Sequence, residues 1–323
     1  MRRREFITLL GTGTWPLIAR AQQLPVVGFL SSGSKQSDTL RLTALWRGLN
    51  ETGYVEGRNV TSEYRWADDQ YDRLPALGAD LVHRQVNVIA AVGTPASALA
   101  AKAATKTIPI VFAIAGDPTK LGLVDSFNRP GGNVTGATTF GTLIVPKQFE
   151  ILHETIPKAS LIGCLVNPLN PNAETNMREA REATGRLGLQ LDIFTASMES
   201  EIDTAFATFV QHRAGAVVVV SDSLFNSRPN ELVALSARHA LPTIYQYREF
   251  AAAGGLISYG SSLPDAYRQI GIYTGRILKG EKVGDLPVVQ ATKVELILNL
   301  KTAKMLGITF PISLLGRADD VIE

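Results

Sequence analysis

Gly131-Gly132-Asn133-Val134-Thr135-Gly136-Ala137-Thr138-Thr139 and Gly254-Gly255-Leu256-Ile257-Ser258-Tyr259-Gly260-Ser261-Ser262 are two versions of one plan. Each opens on a glycine pair, runs into a short apolar strand and ends in glycine and hydroxyl residues. Upstream of each lie three apolar runs in the same order. Leu24 to Leu30, Asn87 to Val92 and Ile108 to Ile114 precede the first. Leu161 to Val166, Ala216 to Val220 and Leu241 to Tyr245 precede the second. The proline of Ile108-Pro109-Ile110 returns in Leu241-Pro242-Thr243. Two similar halves imply two lobes with a cleft between them.

Continuous apolar runs of this length are expected for strands buried on both faces. Between them, helical spacing marks 39–52, with Leu42, Leu45, Trp46 and Leu49 on one side. Further helices are expected at 71–84, 95–105, 173–187, 199–212, 230–239 and 264–279, and edge strands at 59–66 and 189–194. Strand-helix alternation at this spacing predicts βαβ units and doubly wound parallel sheets. A strand at 294–298 and a helix through Met305 are expected to return and complete the lobes, giving three crossings between them.

The chain has 323 residues, 45% of them hydrophobic, which suffices for two ordinary α/β cores. Its net charge of +2 is unevenly placed. Removing Arg2, Arg3, Arg4, Arg20 and Glu5 from 32 basic and 30 acidic residues leaves 28 and 29. A near-neutral body argues against a nucleic-acid partner. Arg3-Arg4-Glu5-Phe6-Ile7, an apolar stretch to Ile18 and Ala19-Arg20-Ala21 compose a twin-arginine-like export signal, with cleavage expected after Ala21. The lone Cys164 sits in an apolar run and is expected to be a buried thiol. His83, His153, His212 and His239 show no metal-ligand spacing. No G-x-S-x-G elbow or phosphate loop is present. Neither metal nor cofactor is expected, and no catalytic residue is assigned.

In open parallel sheets, ligands lie beyond the carboxyl ends of the strands, where helix N-termini offer free N–H groups. The candidate ligand residues are therefore Ser32, Thr94, Ala96, Asp117 and Thr139 from the first half. From the second come Asn167, Asn170, Asn172, Asp222, Tyr245 and Tyr259. Hydroxyls, amides and helix N–H groups suit a carboxylate, and the acids an ammonium. Asp117 and Asp222 read as occupying the same position in the two halves, either as ammonium ligands or as helix caps. Tyr245 and Tyr259 could stack on an aromatic ligand or belong to the core. Thr138, Tyr259 and Gly260 are the expected hinge residues.

Gly93-Thr94-Pro95-Ala96, Gly116-Asp117-Pro118, Arg129-Pro130-Gly131-Gly132-Asn133-Val134-Thr135-Gly136, Asn167-Pro168 with Asn170-Pro171-Asn172, and Gly254-Gly255-Leu256 with Ser258-Tyr259-Gly260 give the chain a further reading. In this order they resemble the ABC-transporter substrate-binding proteins related to the tryptophan-binding TrpX lipoproteins. The resemblance spans roughly residues 24–307. It implies a type I periplasmic-binding-protein fold, two lobes joined by a three-crossing hinge. It also implies a small solute, often an aromatic amino acid, delivered to an ABC permease in the inner membrane. The expected lobes are 24–137 with about 261–290, and 138–260 with about 291–323. The lipoproteins carry a cysteine after the signal where this chain has Gln22, so a soluble, monomeric periplasmic protein is implied. Thr119-Lys120-Leu121 after Asp117-Pro118 and the small side chains of 31–34 also depart from the pattern, which bears on the ligand more than the fold. A periplasmic sensor of the same fold is the alternative. A secreted α/β hydrolase would need a nucleophile beside a base, and the sequence places none.

Overall fold

A computed structural model describes residues 24–139, 144–291 and 293–323. The expected export signal lies outside the described residues. The apolar runs form strands whose side chains are buried on both faces, as in Val88–Val92. Ala98, Ala101 and the other small residues of the helix at Pro95–Ala104 allow close packing on that sheet.

In chain order the strands are β1 (Val26–Ser31), β2 (Thr61–Trp66), β3 (Val88–Val92), β4 (Ile110–Ala115), β5 (Val134–Thr139), β6 (Leu161–Val166) and β7 (Gln190–Thr195). They continue as β8 (Ala216–Val219), β9 (Thr243–Tyr245), β10 (Ile257–Ser261), β11 (Val289–Gln290), β12 (Val294–Asn299) and β13 (Asp320–Ile322). The helices are α1 (Lys35–Glu51), α2 (Leu74–His83), α3 (Pro95–Ala104), α4 (Val145–Thr155), α5 (Ala173–Leu187) and α6 (Glu199–Gln211). After them come α7 (Ser223–Asn226), α8 (Pro229–Arg238), α9 (Arg248–Ala252), α10 (Leu263–Leu278), α11 (Leu300–Met305) and α12 (Ile312–Leu315).

Two sheets result. The first has the order β11-β5-β4-β3-β1-β2 and is parallel throughout. The second has the order β13-β12-β10-β9-β8-β6-β7 and is parallel except where β12 runs against β10. Each sheet has an apolar cluster on both faces, the signature of a doubly wound lobe. The chain passes between the lobes after β5, after β10 and after β11, and α10 returns to pack on α1 in the first lobe.

The two glycine-pair strands are β5 and β10, each beside the last parallel neighbour of its lobe. A Cβ at Gly136 would run into the Phe112 carbonyl, and one at Gly260 into the Gln246 carbonyl. Glycine stands at both places because the neighbouring backbone approaches too closely for any side chain.

Several local readings are corrected. Helix α1 begins at Lys35 rather than residue 39, because Ser34 and Ser37 close a capping box four residues earlier. The helix expected over 71–84 is a 3₁₀ turn at Tyr71–Arg73 followed by α2, with proline in the first turn of α2. Helix α4 has no counterpart in the sequence reading, although Val145, Phe149 and Leu152 carry its buried stripe. Cys164 lies in the second core, where burial pushes its thiol up to about 12.

Candidate functional site: a cavity between the lobes

The loops after β1, β3 and β4 and the end of β5 face the loops after β6, β8 and β9. On the first-lobe side, Ser32, Thr94 and Thr139 are buried, and none of their hydroxyls makes a hydrogen bond of normal geometry among the described residues. Thr94 holds the N-cap position of α3 without capping it, and lies close to Tyr71, whose phenol burial and the Asp222 carboxylate push well upward. Ala96 is half-buried in the first turn of α3, against the lobe core. Thr138 donates to the Gly116 carbonyl. Asp117 is half-buried, and its Oδ1 accepts from the Thr119 N–H at 2.9 Å, the Thr119 hydroxyl at 2.6 Å and the Lys120 N–H at 3.4 Å. Burial raises its pKa, but those donors together outweigh it and the net shift is downward.

The second-lobe side is closed upon itself. Asp222 is fully buried and caps α7 by accepting from the Leu224 N–H at 2.9 Å. It also accepts from Asn167 Nδ2 at 2.8 Å, Asn170 Nδ2 at 2.7 Å and the Tyr71 hydroxyl at 2.5 Å. Asn170 Oδ1 in turn accepts from the Asn172 N–H at 2.9 Å. Burial drives the Asp222 carboxyl upward, and these donors oppose it.

Two expectations for Asp222 are therefore corrected. Four donors already occupy its carboxylate, so it is not open to an ammonium. It follows β8, the counterpart of β3, so it matches Thr94 and not Asp117. Tyr245 is corrected as well. Its ring stacks on Phe250 at 4.5 Å inside the second-lobe core, and its hydroxyl pairs with Ser236 at 2.6 Å. Tyr259 packs partly against the other core of that lobe, and its carbonyl accepts from Gln148 Nε2 at 3.1 Å.

The lobes touch through three further links. Asn172 Nδ2 donates to the Ala115 carbonyl at 2.8 Å. Asp69 Oδ2 accepts from Ser227 at 2.7 Å and pairs with Arg228 at 2.8 Å. Ser223 donates to the Tyr71 hydroxyl at 3.1 Å. Asp68 and Asp69, at φ 53° and 63°, turn the chain left-handed after β2 and aim this loop across the cleft.

Between these links lies a small enclosed cavity of about 10 Å³. Arg41, Gly93, Thr139 and Tyr267 face it, with Asn226 and Tyr247 opposite. Thr139 also borders an outer pocket that Asp117, Lys120, Asn172 and Glu179 line. Of the expected ligand residues, then, Thr139 borders both spaces and Asp117 and Asn172 the outer one. Ser32 lies just behind Gly93. Among the described residues, no group of three or more His, Cys, Asp or Glu could hold a metal ion.

The sequence reading missed Arg41, Tyr71, Asn226 and Tyr267. Arg41 is 8% exposed and shares its helix face with Leu45, Gly48 and Leu49. A charge inside an apolar stripe was the available signal. Its guanidinium lies 3.5 Å from Asp38 Oδ1 and close to the Tyr267 hydroxyl. Asp38 is wholly buried, and burial raises its carboxyl against the pull of Arg41, Ser31 and Trp66. For Arg41, burial works against the charge, while Tyr267, Asp38, Glu249 and Tyr247 more than restore it.

Residues 29–322 match the family model described as ABC transporter substrate binding protein. A tyrosine-binding protein from Clostridioides difficile (strain R20291) is 28% identical over 264 residues, covering 80% of this chain and 74% of that one. The structure described as an ABC domain in complex with L-Trp from Streptococcus pneumonia superposes with TM-score 0.84 at 26% identity. It covers 93% of this chain and 100% of its own. The ligand-free, open structure of a substrate binding protein with adhesive properties from Clostridium difficile gives TM-score 0.65 at 23% identity, over 93% of this chain and 99% of its own.

Proposed function

This chain belongs to the ABC transporter substrate-binding proteins, and from that premise we propose that it is the periplasmic solute-binding component of an ABC importer. It takes an amino acid between its lobes and presents the closed form to a permease in the inner membrane. The observation that carries this reading is the small enclosed space that draws its lining from both lobes and sits beneath links that join them, so that a solute enters it only as the lobes part. A ligand held there is desolvated by closure, so the open-to-closed balance depends on it. The relatives with L-Trp and tyrosine in their descriptions support an aromatic amino acid as the solute. Thr138 and Gly260 lie next to the ends of β5 and β10, where the chain leaves each lobe, and with Tyr259 in the middle of β10 are proposed to flex on closure. The protein acts as a monomer and without a cofactor, and is exported by the N-terminal signal that ends at Ala21.

The test is a thermal-shift screen of the chain from Gln22, followed by calorimetry. We expect stabilisation by at least one amino acid and a Kd at or below the micromolar range, on the order of −8 kcal/mol. No stabilisation by any amino acid, peptide or organic acid would sink the reading.

A further inference from the structure

We infer that Arg41 is the residue that grips the ligand, through the ligand's carboxylate, and that the cavity therefore selects for the carboxylate far more strongly than for the ammonium. This rests on the reading above, that the cavity is the solute site.

A guanidinium has five N–H donors in a fixed fork. Arg41 places one of them 3.5 Å from Asp38, a long contact for a charged pair, while its side chain borders the cavity. A buried cation is costly unless it is well paired, and an anion placed before it lowers that cost. The other polar groups around the space also suit an anion. Tyr267 and Tyr247 carry hydroxyls, Thr139 has a hydroxyl with no partner of normal geometry, and Asn226 has an amide.

The carboxylates nearby are otherwise engaged. Asp38 is wholly buried behind Arg41, with its Oδ1 3.5 Å from the guanidinium. Asp222 accepts four hydrogen bonds. Glu249, whose charge Arg41 feels, borders a separate pocket beside Arg248 and Glu295. Among the described residues, Arg41 is the one ionic side chain on the cavity wall. Residues 140–143 and 292, outside the described residues, include no acid in the sequence. An ammonium in this cavity meets carbonyls and hydroxyls, which also solvate a neutral substituent.

The experiment compares three forms of one side chain by calorimetry. L-tryptophan, L-tyrosine and L-leucine are each measured beside their carboxamide and their deaminated acid. For whichever series binds, the carboxamide should be weaker by roughly thirtyfold or more, the range of a charged hydrogen bond. The deaminated acid should stay within about tenfold of the amino acid, since hydroxyls and carbonyls replace its partners. Arg41→Gln should bring the amino acid and its carboxamide to similar affinity. Arg41→Lys should restore part of the preference, because a point charge replaces a fork. Comparing ligands on the unaltered protein keeps the idea testable if a variant fails to fold. A carboxamide that binds within threefold of its amino acid overturns the role of Arg41. A deaminated acid that loses binding while the amino acid keeps it overturns the preference. Failure of every compound to bind overturns the solute site itself, and this inference with it.

Discussion

The two lobes share a topology around their glycine strands and differ in what they do with their polar loops. In the first lobe, Ser32, Thr94 and Thr139 hold hydroxyls without partners of normal geometry, and Arg41 is only lightly engaged by Asp38. In the second, Asn167, Asn170 and Asp222 bind one another and the start of α7. One lobe presents groups to the cleft, while the other supplies a self-supporting cover that reaches across through Asn172. A shared fold therefore does not imply a shared role at matching positions. Thr94 and Asp222 stand at equivalent strand ends, yet one leaves its hydroxyl unpaired and the other accepts four hydrogen bonds.

The sharpest way to break this comparison is to remove the acid from each lobe. Asp222→Ala leaves Asn167, Asn170, Tyr71 and the Leu224 N–H without their acceptor. It should cost about 4 kcal/mol in urea unfolding, since each buried donor left unmatched costs about 1–3 kcal/mol and neighbours partly relax. Asp117→Ala strips a half-exposed turn and should cost about 1 kcal/mol. Equal costs would refute the contrast between cover and presenting face.

The glycine strands test where the lobes agree. Gly136→Ala and Gly260→Ala each drive a Cβ into a neighbouring carbonyl, so each should destabilise by about 2–3 kcal/mol, with folding retained. A mild effect at one site and a severe one at the other would show that the repeat is superficial.

Tyr71→Phe addresses the link between the lobes. It removes the hydroxyl that donates to Asp222 and accepts from Ser223. Closure should become less favourable by about 1 kcal/mol, and ligand affinity should fall about fivefold by calorimetry. Unchanged affinity would mean that the contact contributes nothing to closure.

The fold was more legible than the site for a physical reason. Strands buried on both faces demand unbroken apolar runs, so Val88 to Val92 and Ala216 to Val220 identify themselves. Helix α4 shows the limit, since its stripe of Val145, Phe149 and Leu152 just beyond the expected crossing has no counterpart in the sequence reading. The site depends on which polar groups remain free after folding, and residue type does not encode that. Asp222 and Asn170 have the chemistry of ligand residues, but hydrogen bonds within the lobe consume it. Arg41 is hidden for the opposite reason. It occupies an apolar helix face, where spacing suggests core, and becomes notable only once the second lobe closes opposite it.

The smallest expected effect concerns pH, and here the two acids should differ in sign. Asp117 has a folded pKa below the ordinary 3.8, so its stabilisation is present above 3.8 and disappears as pH falls through the folded value. The cost of Asp117→Ala should therefore shrink towards zero on acidification. Asp222 has a folded pKa above 3.8, driven chiefly by burial and opposed by the donors from Tyr71, Asn167, Asn170 and Leu224. Between 3.8 and that raised value the folded protein binds more protons than the unfolded chain, so stability from this group rises as pH falls through the window. As pH falls, the cost of Asp222→Ala should grow above 3.8, and that of Asp117→Ala should decline below 3.8. Urea unfolding of the wild type and both variants across the acidic range reads the two slopes directly. Parallel slopes would place both acids in the same environment, and would remove the distinction between a lobe that presents its polar groups and one that encloses them.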